Sequence, residues 1–160
     1  MGFDGKTLSA KVFKKGGEWF VSVAVELAQA VMPKTKTGKS IGIDLGITDL
    51  LVLSNGMKLQ APKPLKTQLA KLRRLNKSLS RKQKGSNNRE KAKTKLSRLH
   101  AKIGNIRSNS LHQITTYLVS EYDVLAIEDL NVSGMVKNRK LSRAISDLGF
   151  YEFKRQYLQG

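Results

Sequence analysis

Alternating apolar and polar residues characterise the N-terminal part of the chain. From Trp19 to Leu27 every second residue is apolar, and this period of two predicts a β-strand. A second strand is predicted over Leu8–Lys14, joined to the first by the turn residues Lys15–Glu18. One hairpin is only marginally stable alone, so we expect it to belong to a larger sheet. We therefore assign residues 1–33 to the end of a β domain and residues 34–40, which are polar, to a linker.

Three further apolar runs predict a second β region. Ile41–Gly46 is a short apolar strand that contains one carboxylate. Leu50–Leu53 and Met57–Gln60 flank Asn55-Gly56, which is the strongest local signal for a hairpin because both residues accept a positive φ. Val124–Asp129 is another short apolar run, and it ends in acidic residues.

The period then changes to that of helices. Apolar residues recur every three or four positions from Leu65 to Leu79, and again from Leu96 to Leu118. The turn residues Lys84–Asn88 separate the two series. We predict two long helices folded back as an antiparallel pair over 63–121, with leucines along the seam and basic residues outside.

The C-terminal part is predicted as a basic loop followed by one helix. The loop covers Asn131–Lys140, and the amphipathic helix covers Leu141–Leu158 with Gly149 inside it. The inward-facing candidates of that helix are Ala144, Ile145, Leu148, Tyr151 and Phe153.

Net charge adds a partner class to this picture. The chain of 160 residues has a formal charge of +18. Residues 63–107 contain sixteen Lys and Arg residues and one acid, Glu90. A solvated helix face usually mixes charges of both signs, so a block of one sign indicates binding of nucleic-acid phosphates rather than a solvated or membrane-surface helix.

Cysteine usage and hydropathy narrow the class further. The chain contains no cysteine, which excludes disulfides and cysteine-ligated zinc within these residues. No apolar run approaches the ~20 residues of a membrane span, and the N-terminus has no signal-peptide core. We expect a cytoplasmic protein with no membrane partner.

Two carboxylates in apolar strands are the candidate chemistry. Asp44 lies between Ile43 and Leu45, and Glu128 follows Ile127. A lone carboxylate in such a run is costly to bury unless a cation or N–H groups compensate it. If the two strands pair side by side, Asp44 and Glu128 converge and suit Mg²⁺ or Mn²⁺.

Other titratable residues near these strands have simpler interpretations. Asp49 is interpreted as a turn residue, and strand alternation directs Asp129 to the face opposite Glu128. Taken from the residues alone, the choice of Glu128 over Asp129 stays open. His100 and His112 lie on the helices without another ligand type nearby, which favours an ordinary surface or core role.

The order of strands, helices and acids resembles the RNase H-like fold, and six segments are similar to the TnpB family of transposon-encoded, RNA-guided DNA nucleases, relatives of the type V CRISPR effectors. The segments occur in the family order from about residue 8 to the end. They are IGIDLGIT (Ile41–Thr48), LSRKQKGSNN (Leu79–Asn88), LHAKIGN (Leu99–Asn105), YDVLAIEDLNV (Tyr122–Val132), GMVKNRK (Gly134–Lys140) and LSRAISDL (Leu141–Leu148).

The resemblance implies an α/β fold with a RuvC-type mixed sheet, split by the inserted helix pair. Residues 41–160 would form part of this nuclease domain, and 1–33 the end of a wedge-like domain that binds guide RNA. Asp44 and Glu128 would be two of the three catalytic, metal-binding acids. The family's zinc ribbon and third acid lie further along, so we expect a fragment in which the C-terminal part of the fold is absent.

The implied function is a Mg²⁺- or Mn²⁺-dependent DNA endonuclease core with DNA and a guide RNA as partners. The alternative is a catalytically inactive, basic RNA- or DNA-binding remnant. A ribosomal-type structural protein would explain the charge but not the two acids in apolar strands. The predicted nucleic-acid-binding residues are Lys71, Arg73, Arg74, Lys77, Arg81, Lys82, Lys84, Arg89, Lys137, Arg139 and Lys140.

Overall fold

The computed structural model describes residues 5–27, 36–138 and 141–159. These residues form a mixed α/β structure, as predicted. Two compact units are present. One contains the N-terminal hairpin together with Arg74–Lys102, and the other contains Lys36–Arg73 together with the chain from Ile103 onward.

The hairpin of the first unit consists of β1 (Gly5–Lys15) and β2 (Glu18–Leu27), which pair antiparallel as predicted. Gly16 and Gly17 form its turn with φ values of 63° and 88°, a conformation that side chains with a Cβ rarely adopt. A Cβ on Gly16 would lie 2.8 Å from the Cβ of Ala101. The tip of the hairpin therefore packs closely on a helix, while its strands form a separate two-stranded sheet.

Two long helices follow the predicted periodicity. Helix α1 covers Pro64–Ser80 and helix α2 covers Asn87–Glu121. Between them, the Arg89 guanidinium Nη1 donates hydrogen bonds to the carbonyls of Leu79 and Lys82, both at 3.0 Å. Arg89 thereby donates to one carbonyl in the last turn of α1 and to one carbonyl in the turn that follows the helix.

The second unit contains a four-stranded sheet. Its strands are β3 (Ser40–Leu45), β4 (Leu51–Leu53), β5 (Lys58–Leu59) and β6 (Val124–Ile127), in the spatial order β5-β4-β3-β6. The pair β3–β6 is parallel, with Ile41 opposite Leu125 and Ile43 opposite Ile127. Parallel strands need a long crossover, and α1 and α2 lie in it. The predicted parallel neighbours are confirmed.

The turn between β4 and β5 confirms the predicted hairpin and corrects its geometry. The amide of Leu53 donates to the Met57 carbonyl at 2.9 Å, and the amide of Gly56 donates to the Leu53 carbonyl at 2.8 Å. Gly56 has a φ of 85°, but none of the described residues other than glycine has a positive φ. The expectation of a positive φ at Asn55 was wrong, because its side chain instead accepts a hydrogen bond from the Met57 amide.

Strand alternation gives the sheet one buried and one open face. Ile41, Ile43, Leu51 and Leu53 are buried, whereas Asp44, which follows Ile43, is exposed. The buried face belongs to a core that also contains helical residues. These are Leu111, Ile114, Leu118, Ile145, Leu148, Phe150 and Phe153.

The C-terminal part forms three short helices rather than the predicted loop and single helix. They are α3 (Val132–Lys137), α4 (Ser142–Leu148) and α5 (Phe150–Gln159). Gly149 ends α4 in the left-handed region, with a φ of 76°. This break changes the helical phase, so Phe150 is buried and Tyr151 is 75% exposed. The inward assignment of Tyr151 was therefore wrong, whereas Ile145, Leu148 and Phe153 are buried as expected.

Candidate active site

The two predicted acids lie on the same face of the four-stranded sheet. Asp44 follows Ile43 on β3, and Glu128 follows Ile127 at the end of β6, so each acid comes one residue after a paired position. Parallel strands in register keep such residues side by side. Both acids line one open cavity of about 480 Å³ on the exposed sheet face, together with Gly42, Ser54 and Ala126.

The carboxylates of Asp44 and Glu128 have no hydrogen-bond or ion-pair partner among residues 5–27, 36–138 and 141–159. Two like charges that line one cavity repel each other unless a cation lies between them. Carboxylate oxygens are the hard ligands that Mg²⁺ and Mn²⁺ prefer. The donor set therefore fits two ligands of a divalent cation, although the described residues contain no cluster of three or more potential metal ligands.

Asp129 has a different environment from its neighbour. Its carboxylate pairs with the Lys154 ammonium of α5, and this hydrogen bond lowers the pKa of Asp129 below its ordinary value. Asp129 and Lys154 line a second cavity of about 210 Å³, in which Glu128, Leu45 and Phe150 also take part. Glu128 is thus the acid that lines both cavities, whereas the charge of Asp129 is compensated by Lys154.

The remaining candidates near the sheet have structural contacts. Asp49 accepts a hydrogen bond of 2.9 Å from the Gln60 side chain, which fits the turn role expected for it. His100 and His112 are exposed, and neither belongs to a metal-ligand cluster in the part of the chain described.

A buried carboxylate that the sequence analysis did not identify connects three elements around the sheet. Asp147 of α4 is 2% exposed and accepts hydrogen bonds from the amides of Leu65 and Lys66, both at 2.9 Å. These amides belong to the first turn of α1, where helices lack internal acceptors. The Arg107 guanidinium of α2 lies 3.5 Å from the same carboxylate. Asp147 therefore determines where α1 begins relative to α4 and α2.

No local sequence signal identifies these partners. Leu65 lies 82 positions from Asp147 in the sequence, and helix caps are usually recognised within a few residues. A single acid in the apolar segment around Ile145 and Leu148 was the one available indication.

The basic residues of the helices are mostly exposed, as expected for a phosphate-binding surface. Seven of the nine predicted nucleic-acid-binding residues that the structure describes are exposed. They are Lys71, Arg73, Arg74, Lys77, Arg81, Lys84 and Lys137. Lys82 is partly buried, and Arg89 uses its guanidinium on the carbonyls at the end of α1. Arg139 and Lys140 lie outside the described residues.

None of the helices described is both long and apolar enough to cross a membrane.

Comparison with known proteins gives a consistent result. Residues 20–139 match the OrfB_IS605 family, described as "Probable transposase". A "Putative RNA-guided DNA endonuclease" of Streptomyces pristinaespiralis is 43% identical over 140 residues, which cover 88% of this chain and 34% of the relative. The "Putative RNA-guided DNA endonuclease InsQ" of Escherichia coli K12 is 34% identical over 95% of this chain and 41% of its own length.

The coverage is asymmetric. The chain is matched over most of its length, yet it spans 34% and 41% of these two curated relatives.

Proposed function

Because the chain belongs to the OrfB_IS605 family of probable transposases, we propose that it is part of a RuvC-like, divalent-metal-dependent DNA endonuclease core of a TnpB-type, RNA-guided transposon protein. The substrate of this core would be the phosphodiester backbone of DNA, and its second partner would be a guide RNA. Two relatives carry the description of RNA-guided DNA endonucleases, which supports both partners.

One observation carries the proposal. Strands β3 and β6 pair in parallel, although about 80 residues separate them, and this pairing brings Asp44 and Glu128 to one cavity on one sheet face. An isolated acid at a strand end is an ordinary turn or cap residue. Two acids on neighbouring strands, with no cationic partner among the described residues, favour a shared divalent cation.

The acids of the chain would act by binding divalent cations at a fixed position on the sheet. Asp44 and Glu128 would hold Mg²⁺ or Mn²⁺, which when bound supplies activation of water and stabilisation of the leaving oxygen in phosphodiester hydrolysis. Without cations, the two carboxylates repel each other and any approaching phosphate. The buried hydrophobic face below them fixes the strands, because Ile43 and Ile127 are directly paired next to the acids.

The exposed cations of α1 and α2 would bind the nucleic-acid backbone. Lys71, Arg73, Arg74 and Lys77 are exposed on α1, and Arg81 and Lys84 are exposed in the turn that follows it. Contacts of this type go to phosphates and carry little sequence preference, so the sequence information would come from the guide RNA.

The alternative that the chain only binds nucleic acid applies to these 160 residues taken alone. The acids that line the sheet-face cavity are Asp44 and Glu128. Two carboxylates leave the ions less firmly held than the three that the family resemblance implies. We therefore propose that this chain alone binds DNA and RNA, and that cutting requires further parts of the protein.

Metal binding tests the proposal directly. Titration of the ¹⁵N-labelled chain with Mn²⁺ should broaden the amide resonances around Asp44 and Glu128 before those of the rest of the protein. Asp44→Asn and Glu128→Gln should each abolish this selective broadening, because each removes one of two charged ligands. Asp49→Asn is the matched control, since Asp49 is an acid near the same sheet but contacts Gln60. Broadening that is uniform, or that survives in both variants, would contradict the proposed site.

A further inference from the structure

Helix α5 presents an exposed aromatic ring to solvent. Tyr151 is 75% exposed, more than any other large hydrophobic side chain described, whereas the preceding Phe150 is 1% exposed. The first turn of α5 is thus anchored in the core by Phe150 while it displays the ring of Tyr151 to solvent.

Two cations lie next to this ring. Lys154 and Arg155 follow Tyr151 by three and four residues, the spacing of neighbours on a helix surface. The Arg155 guanidinium donates to both carboxylate oxygens of Glu152, with distances of 2.7 and 2.9 Å. The Lys154 ammonium pairs with Asp129. Both cations are therefore held by defined partners.

One of these two cations, Lys154, borders the acids. Phe150 and Lys154 line the cavity of about 210 Å³ to which Glu128 contributes. Glu128 also lines the sheet-face cavity together with Asp44. Tyr151 precedes Lys154 by three residues, so its exposed ring is the helix-surface neighbour of the cation that lines the cavity of Glu128.

This combination has a known chemical preference. Single-stranded nucleic acids bind by stacking unpaired bases on aromatic rings while cations contact the phosphates. In a duplex the bases are already stacked on each other, so a ring on a helix surface has no base face to contact. An apolar protein segment would not match a ring surrounded by Lys154, Arg155 and their acidic partners.

We propose that Tyr151 and Lys154 hold a single DNA strand at the acidic site, Tyr151 by stacking on a base and Lys154 by contacting a phosphate. Arg155 contributes positive charge on the outer side of the ring. The assignment to DNA rests on the proposed endonuclease function, since the strand held here would be the one presented to Asp44 and Glu128. In this state the phosphate competes with Asp129 for the Lys154 ammonium.

Photocrosslinking of the full 160-residue chain tests this inference. The probe is a short single-stranded DNA in which thymines are replaced by 5-iodouracil, a base that crosslinks to aromatic side chains on which it stacks. The expected result, in the presence of Mg²⁺, is a crosslink that mass spectrometry maps to the peptide containing Tyr151. Crosslinks that map only to other aromatic residues, such as Trp19, would overturn the proposal.

Substitutions separate stacking from general binding. Tyr151→Ala should remove the crosslink and weaken binding of the single strand by roughly fivefold or more, since stacking contributes at least about this factor per base. Tyr151→Phe should retain both, because it keeps the ring. Trp19→Ala is the matched control, since Trp19 is 70% exposed but lies on β2, and it should leave the Tyr151 crosslink unchanged.

The remaining outcomes each decide one point. If the parent chain binds no nucleic acid, the proposed function fails and this inference fails with it. If the parent binds and Tyr151→Ala binds equally well, the inference alone is overturned. If unlabelled RNA displaces the probe as effectively as unlabelled single-stranded DNA of the same sequence, the assignment to DNA is overturned.

Discussion

The four-stranded sheet and the two long helices organise charge in opposite ways. In the sheet, two acids on adjacent strands follow the directly paired residues Ile43, which is buried, and Ile127, which is partly buried, and their positions depend on strand register. In residues 63–107, sixteen Lys and Arg residues share the segment with one acid. Most of the predicted phosphate-binding residues among them are exposed.

The two acids of the sheet therefore depend on exact positions, whereas the cations of the helices can substitute for one another. A one-residue slip of β3 would move Asp44 to the buried face, so each acid of the sheet has one permitted position. A cation on a helix can move or disappear while its neighbours continue to contact phosphates. Single substitutions should therefore have large effects in the sheet and small ones on the helices.

The largest expected effect concerns cleavage by this chain alone. We expect it to bind nucleic acid but to leave plasmid and single-stranded DNA intact with Mg²⁺ or Mn²⁺. Misplacement of an ion or a reacting group by about 1 Å costs roughly a hundredfold in rate, so a site with two acids should fall below detection. The assay runs the parent beside Asp44→Ala and Glu128→Ala. Metal-dependent cutting by the parent that disappears in both variants would show that two acids suffice.

The next effect is on the stability of the fold and concerns Asp147, a buried acid outside the candidate active site. Asp147→Ala should lower the free energy of unfolding by roughly 3 kcal/mol, because it leaves Arg107 and two helix amides without their buried partner. Urea unfolding followed by circular dichroism measures this. Asp147→Asn should lose less, since it keeps an acceptor. Glu90→Ala, which removes an exposed acid of α2, should change stability by less than about 0.5 kcal/mol. Equal losses of unfolding free energy in Asp147→Ala and Glu90→Ala would contradict the difference expected between a buried and an exposed acid.

Redundancy of the basic surface predicts a graded response to salt. Neutralising Arg73, Arg74, Arg81 and Lys82 together should reduce the log–log slope of DNA affinity against salt by about 3, whereas one substitution should reduce it by about 0.7–0.9. Fluorescence anisotropy at several salt concentrations gives the slope. A slope that the quadruple variant shares with the parent would mean that these cations are only solvated.

Arg89→Ala is expected to destabilise the helix turn instead, because Arg89 donates to two carbonyls there.

The smallest effect is a pH dependence at α5. Hydrogen bonds from Arg155 hold the pKa of Glu152 at about 2, below its ordinary 4.5. A depressed pKa in the folded state stabilises the fold above about pH 4.5, and this contribution is lost as the pH falls toward 2. Glu152→Gln should flatten the fall in unfolding free energy between pH 4.5 and 2. Identical pH profiles of parent and variant would contradict this pairing.

Local patterns predicted most of the strands and helices and the position of Asp44, whereas the choice of Glu128 over Asp129 came from the family resemblance. Short apolar runs identified β3 and β6, and the crossover between them made parallel pairing the natural arrangement. The contacts of Asp147 could not be predicted, because its partners on α1 are more than 80 positions away. The exposure of Tyr151 was missed for a different reason. Gly149 ends α4 and a new helix begins at Phe150, so the inward position expected for Tyr151 from one continuous helix does not hold.

The parallel pair β3–β6 also constrains the order in which the protein can fold. Strands β3, β4 and β5 are close in sequence and can pair early, whereas β6 must close a crossover of about 80 residues. At about 5–20 residues per second, the ribosome adds Glu128 roughly 4–17 s after Asp44. Closing a loop of this length costs only about 0.6 kcal/mol more free energy than closing a loop of half the length. Because contacts this distant in sequence form slowly, we expect the β3–β6 pairing that completes the acidic cavity to form after β3, β4 and β5 have paired.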